Sequence, residues 1–310
     1  DLEVEERPSG EITLQAGFGT SGEILGGGIK EKNFLGQGIN LDANLELTPE
    51  TIKGRFIYAK PNFGNSENTL FTSLKSSSTD LLTDSGYKTS ELGFSLGTKF
   101  EQFQNIFLSP EIDFLVEDLE TSSKASETLK KQEGSYTDLY FNYTIDQDLR
   151  DKRYRSESGY QTFFSQEVPI ISDNSEFSNA FEIAKYKKLS TKSNSIGKIS
   201  FYAKTITGLS DDVRISKRLN VPSYKLRGFE KGKVGPVENN DYIGGNHVTA
   251  LNLSATLPNI VEGLDNLDVG VFFDAANIWG VDYNSSLDDK STIRSSTGVA
   301  FNLLTPNWTH

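Results

Sequence analysis

Apolar and polar residues alternate with a period of two along almost the whole chain. Ile39, Leu41, Ala43, Leu45 and Leu47 interleave with Asn40, Asp42, Asn44 and Glu46; in a strand such alternation puts every apolar side chain on one face. The pattern returns at Ile12, Leu14, Ala16 and Phe18, at Leu92, Phe94 and Leu96, and at Leu139, Phe141, Tyr143 and Ile145. It appears again at Leu251, Leu253, Ala255 and Leu257, and at Val299, Phe301 and Leu303. No helical period competes with it. About fourteen strands are predicted, most near the ~9–11 residues that cross a bilayer when tilted. Their spans are 11–19, 22–32, 38–48, 51–60, 67–77, 88–99, 105–118, 135–146, 159–168, 176–188, 195–208, 246–258, 266–277 and 292–304.

The polar partners include charges and amides that a soluble sandwich core could not bury unpaired. Apolar outside and polar inside is what a membrane barrel requires. Connections alternate in length: Pro61–Asn65 and Gln102–Asn105 are short, whereas 119–134, 209–245 and 278–291 are long and polar. Short turns at one end and long loops at the other match an outer-membrane barrel. The expected fold class is therefore all-β, a transmembrane antiparallel β-barrel of outer-membrane type. Phe56, Tyr58, Phe103, Phe107 and Tyr136 are expected in its lipid-interface girdle.

Composition narrows the picture further. No stretch of roughly 18 apolar residues exists, so no transmembrane helix is predicted. A mean hydropathy of −0.43 is compatible with barrel strands, whose two faces average out polar. A net charge of −12 argues against a nucleic-acid partner. The absence of cysteine removes disulfides and thiolate metal sites and suits passage through an oxidising periplasm. Methionine is absent too, so the chain is expected to be an excised piece without a signal peptide.

Two strings resemble enzyme motifs. Gly17-Phe18-Gly19-Thr20-Ser21-Gly22 fits a dinucleotide fingerprint, but it lies in a hairpin with no helix after it. Gly93-Phe94-Ser95-Leu96-Gly97 fits a nucleophile elbow, but Ser95 is a mid-strand polar position and only His247 and His310 could act as base. Acidic pairs such as Asp211-Asp212 and Asp288-Asp289 read as solvated loop charges. No catalytic, cofactor-binding or metal-ligating residue is expected, and the chain is not expected to be an enzyme.

A different constellation stands out. Leu226-Arg227-Gly228-Phe229 lies in the longest polar connection, and Val271-Phe272-Phe273-Asp274 follows on a predicted strand. Phe272 and Asp274 are two residues apart and share a strand face. One guanidinium could be received there through a ring face and a charged hydrogen bond. That pairing requires the connection to fold back into the space the sheet encloses.

With Tyr242-Ile243-Gly244-Gly245-Asn246, Asn33-Phe34-Leu35-Gly36-Gln37-Gly38 and Glu5-Glu6-Arg7-Pro8-Ser9-Gly10, these residues resemble the BamA insertase superfamily of bacterial outer-membrane assembly factors over essentially the whole chain. The resemblance implies that residues 1–9 are the remnant of a last polypeptide-transport-associated (POTRA) domain and that 10–310 form the barrel. Loop 209–245 would fold into the lumen, with Arg227, Gly228 and Phe229 meeting Phe272 and Asp274 as a loop lock. The first strand, with Ile12, Leu14, Gly17 and Gly19, would line a lateral seam, and nearby Gly22 would weaken it further. The family has 16 strands; with Asn307-Trp308-Thr309-His310 ending the chain, the last two are expected to be missing. A family proline in the turn before Gly159 is replaced near Ser156, with local consequences expected. The implied function is folding and inserting outer-membrane barrels, without a cofactor. Implied partners are unfolded outer-membrane proteins, outer-membrane lipid and accessory lipoproteins. A polypeptide-exporting pore of two-partner secretion type shares the loop motif and stays open as the alternative.

Overall fold

The computed structural model describes residues 10–19, 22–153, 155–190, 192, 194–239, 241–258, 267–284, 286–287 and 292–303. The segment expected as a POTRA remnant and the C-terminal Asn307–His310 lie outside them. Fourteen long strands follow one another: β1 (Gly10–Gly19), β2 (Gly22–Phe34), β3 (Ile39–Leu47), β4 (Thr51–Lys60), β5 (Thr69–Leu81), β6 (Tyr87–Phe103) and β7 (Ile106–Thr121). Then come β8 (Gly134–Asp148), β9 (Ser158–Ser172), β10 (Glu176–Lys188), β11 (Ile196–Gly208), β12 (His247–Pro258), β13 (Leu267–Trp279) and β14 (Arg294–Leu303). Hydrogen-bonded neighbours follow chain order from β1 to β14 in one sheet. The pairs from β1 to β7 and from β11 to β14 are antiparallel, with register shifts between Glu31 and Phe34 and between Glu101 and Phe103.

Each predicted strand is present, and the alternation explains why. Ile12, Leu14, Leu45, Ile52, Leu74, Phe94, Phe114, Phe141, Phe201, Leu253 and Phe273 stand exposed on one face, where lipid would satisfy them. The other face carries the buried charges Asp113, Glu117, Asp138, Glu176, Asp268 and Asp274. β6 and β7 run well past their predicted ends, to Phe103 and Thr121.

The chain forms two compact units. The first holds the residues up to Tyr143 with Glu167–Phe177 and Gly208–Ser216; the second holds Thr144–Gln166, Ser178–Thr207 and the residues from Lys217 onward. In the first unit, two aromatic expectations are corrected. Tyr136 lies over a buried arginine and Phe107 lies under Lys99, so neither belongs to a lipid-facing girdle. Both share the numerical parity of the polar set Asp138 and Asp113 in their strands. The expectation of no helix is also corrected by one turn, Glu127–Lys130, whose Leu129 amide donates to the capping hydroxyl of Ser126 at 3.2 Å.

In the second unit, the connection from β11 to β12 contains a small ribbon, Val237–Glu238 against Asp241–Tyr242. The turn before β9 closes with the Ser156 hydroxyl donating to the Lys152 carbonyl. Gly159 there adopts a φ of +92°, with the Leu149 carbonyl where a side chain would begin, so only glycine fits.

Candidate functional site

The second unit brings Arg227, Phe272 and Asp274 together. Alternation puts Phe272 and Asp274 on the polar face of β13, while Val271 and Phe273 face outward. Arg227 Nε and Nη2 each donate at 2.8 Å to the two oxygens of Asp274, a bidentate fork, and its backbone amide adds a third bond at 3.1 Å. The guanidinium carbon lies 3.6 Å from the Phe272 ring centre. Asn252 on β12 completes the arrangement, donating to Asp274 Oδ1 and to the Lys225 carbonyl, each at 2.8 Å. Asp274 is 0% exposed, while the Arg227 side chain remains 35% exposed.

The flanking residues fix the geometry. Gly228 takes a φ of +85° with open space around it, so its role is conformational freedom. Phe229 does not join the β13 contact; with Val221, Leu226 and Val234 it lines a small hollow inside the loop. Gly298, opposite Phe272 on β14, leaves room for that ring, which lies 2.7 Å from where a β-carbon would stand. The loop is held further by Gly244 and Gly245, whose absent side chains admit the carbonyls of Leu219 and Trp279. Lys225 is buried, paired with Glu182 and stacked 5.3 Å from the rings of Tyr202 and Tyr224.

The first unit holds a second arginine from the same connection, which the sequence reading missed. Arg214 is 0% exposed and meets three carboxylates from three strands: Glu176 through Nε and Nη2 at 3.0 Å each, Asp138 at 2.5 Å and Glu117 at 3.2 Å. Tyr136 covers its flat face at 4.4 Å, Tyr140 donates to Glu176 at 3.1 Å and Ser172 donates to Asp138 at 2.6 Å. Burial works against its charge, but the hydrogen bonds and fields of Glu176 and Asp138 prevail and raise its pKa. A third missed arginine, Arg155 in the second unit, grips Asp268 at the start of β13 with bonds of 3.0 and 2.5 Å.

β1 is an edge of the sheet order among the described residues. Ile12 is 77% and Leu14 87% exposed. Its partner strand presents Gly26, Gly27 and Gly28 opposite Gln15, Leu14 and Thr13. The Gln15 side chain fills the space that a side chain at Gly26 would need, and those of Asn44 on β3 and Thr13 fill the space at Gly28. Gly17 has open space around it, and Gly19 pairs with Gly22 at the hairpin end. Ser95 is mid-strand and shares a 2.7 Å hydrogen bond with Ser73 on β5, far from any strand-to-helix corner. No metal-ligating cluster occurs among the described residues.

A single chain-ordered sheet with an apolar exposed face and buried charges on the other face defines an outer-membrane β-barrel protein. The model of the Omp85 superfamily domain matches residues 33–308, and the chain belongs to that superfamily, whose members are insertases or transporters. Its place is the outer membrane of Gram-negative bacteria. The fold matches BamA from Haemophilus ducreyi lacking POTRA domains 1–3, with a TM-score of 0.82 at 19% identity over 97% of this chain and 65% of that one. CdiB from Acinetobacter baumannii matches with a TM-score of 0.57 at 10% identity, over 94% of this chain and 52% of that one. CdiB from Escherichia coli matches with a TM-score of 0.59 at 13% identity, over 99% and 61%. The chain therefore spans less than two thirds of each of these structures. No curated protein matches the sequence significantly.

Proposed function

We propose that the chain is the barrel part of an insertase that folds other outer-membrane β-barrels and releases them into lipid through a lateral seam at β1. The observation that carries this reading is the pairing of β1 with β2: Ile12 and Leu14 turn outward, backed by three consecutive glycines. A client strand entering lipid must satisfy every backbone N–H and C=O, and an open strand edge is a template for that. The glycines raise the backbone entropy that β2 loses on pairing, so its hold on β1 yields at low cost. The TM-score of 0.82 to BamA supports the insertase over the exporter. Under this reading the clients are unfolded outer-membrane proteins, accessory lipoproteins assist, and no cofactor or covalent chemistry takes part.

Within this scheme the Arg227–Asp274–Phe272 contact locks the long connection to β13 and sets where the loop sits, leaving the work to the edge. The test uses the full-length protein in liposomes, with client folding followed by its heat-dependent gel shift. Acceleration that disappears when β1 is cross-linked to the last strand is the expected result; unchanged insertion with the seam locked would sink the proposal. The second reading, a polypeptide-exporting pore of two-partner secretion type, draws support from the CdiB likenesses, which cover 94% and 99% of the chain. Ion conductance through the same liposomes without client folding would favour it.

A further inference from the structure

The apolar face of the second unit is not uniform. Inter-strand register places Gly197 of β11 beside Ala255 of β12, and Ala255 beside Val271 of β13. The adjacent row is large: Ile199 beside Leu253, and Leu253 beside Phe273. A row of small residues alongside a row of large ones makes a notch across the strands, a groove of ≈ 610 Å³. Leu189 folds over Gly197 and forms part of its wall. Lys185 and Lys187 of β10 also line it, and both are exposed. Two lysines on a membrane-facing surface of a chain with net charge −12 stand out.

Their depth explains what they could meet. In this chain-ordered sheet the long connections from β11 to β12 and from β13 to β14 leave from the strand ends opposite to the one where β10 turns into β11. Long loops are extracellular in this class of barrel, so the groove opens at the periplasmic end, where the leaflet is glycerophospholipid. Lys187 stands next to the last residue of β10, at a depth where a lysine stem can lie along apolar surface and its ammonium reach headgroups.

We propose that this groove holds one anionic glycerophospholipid, with an acyl chain lying over Ala255 against the wall that Leu189 makes over Gly197, and the phosphate held by Lys185 and Lys187. The proposal depends only on the barrel lying in the outer membrane, so it stands or falls separately from the insertase reading. It is tested by extracting the full-length protein from vesicles of equal phosphatidylglycerol and phosphatidylcholine and counting co-purifying lipid by native mass spectrometry. About one phosphatidylglycerol per chain is expected in excess over phosphatidylcholine. The double variant Lys185→Gln/Lys187→Gln should lose that excess by about thirtyfold, as expected for two interfacial lysines. Ala255→Leu fills the notch without changing charge and should have the same effect, while Lys185→Arg/Lys187→Arg should retain it; heat-modifiable gel mobility confirms folding of each. An unchanged ratio in the lysine-to-glutamine variant, or lipid retained in the bulk ratio by the unaltered protein, would overturn the proposal. So would a photoreactive residue at Leu253 that captures a protein rather than lipid in whole cells.

Discussion

Arg214 and Arg227 ride on the same connection and each binds carboxylate from the polar face of the sheet, yet their surroundings differ in kind. Arg214 is wholly enclosed, shared by Glu176, Asp138 and Glu117 and covered by Tyr136. Arg227 keeps a third of its side chain exposed and answers to one carboxylate and one ring. The motif that draws the eye in the sequence is thus the more open contact. Three carboxylates around one buried cation have no favourable state without it, because each would remain desolvated and repelled by the others. At Arg227 the burial is lopsided: Asp274 is the enclosed partner, and the arginine can turn toward water.

The largest effect is therefore expected at the enclosed site. Arg214→Ala in the full-length protein should cost about 3–5 kcal/mol, the usual loss when one member of a buried ion cluster is removed. It would be read as a lowered midpoint of heat-modifiable gel mobility. A loss no greater than that of Arg227→Ala would erase the distinction drawn above.

Next comes the lopsidedness at the other contact. Arg227→Ala strands the buried Asp274 carboxylate with Asn252 as its remaining side-chain partner and should cost roughly 1–3 kcal/mol. Asp274→Asn leaves an arginine free to reach water and should cost less. The double variant should fall well short of the sum, since both changes remove one interaction. Strict additivity in unfolding midpoints would mean the two groups contribute independently.

A smaller effect isolates the ring. Phe272→Leu keeps the apolar volume and removes the π face, and should cost about 0.5–2 kcal/mol. Gly298→Ala, which crowds the ring from β14, should disturb the same contact without touching any charge. If neither moves the midpoint, the fork to Asp274 alone holds the loop.

The smallest effect serves as a control for burial. Glu157 lies in a turn, bridged by Lys152 at 2.7 Å and Lys188 at 2.8 Å, and their hydrogen bonds lower its pKa to about 2. A depressed carboxylate contributes stability above its unfolded pKa near 4.3 and loses it as pH falls through the folded value. Glu157→Gln should flatten the decline in stability between roughly pH 4 and 2 and leave pH 7 almost unchanged, because the group is exposed. A large loss at neutral pH would show that surface bridges matter here as much as enclosed ones.

What was legible in the sequence follows from how local the signal is. Strand positions came from period two, which needs only neighbouring residues. Phe272 and Asp274 were legible because their spacing on one strand is itself local, and Arg227-Gly228-Phe229 supplied the distinctive partner. Arg214 was not, since Glu117, Asp138 and Glu176 sit on three separate strands and look like any other inward charge. Tyr136 and Phe107 were misassigned as girdle residues although their strand parity matched Asp138 and Asp113. Composition at an aromatic position outweighed a periodicity that carried the better information. Arg155 and Asp268 are still further apart in sequence, with nothing local to link them.

The buried Lys225 also changes the polymer physics of the long connection before β12. An unanchored loop pays closure entropy once for its whole length, a cost that grows only logarithmically. Within the second unit, once Lys225 is seated against Glu182, Arg227 two residues on is kept within a small volume of Asp274, so that contact forms as if from a concentrated solution. The segment would then settle in order, enclosed lysine first and arginine second, and release in reverse. Arg227 would be the latch that opens while Lys225 holds as the hinge.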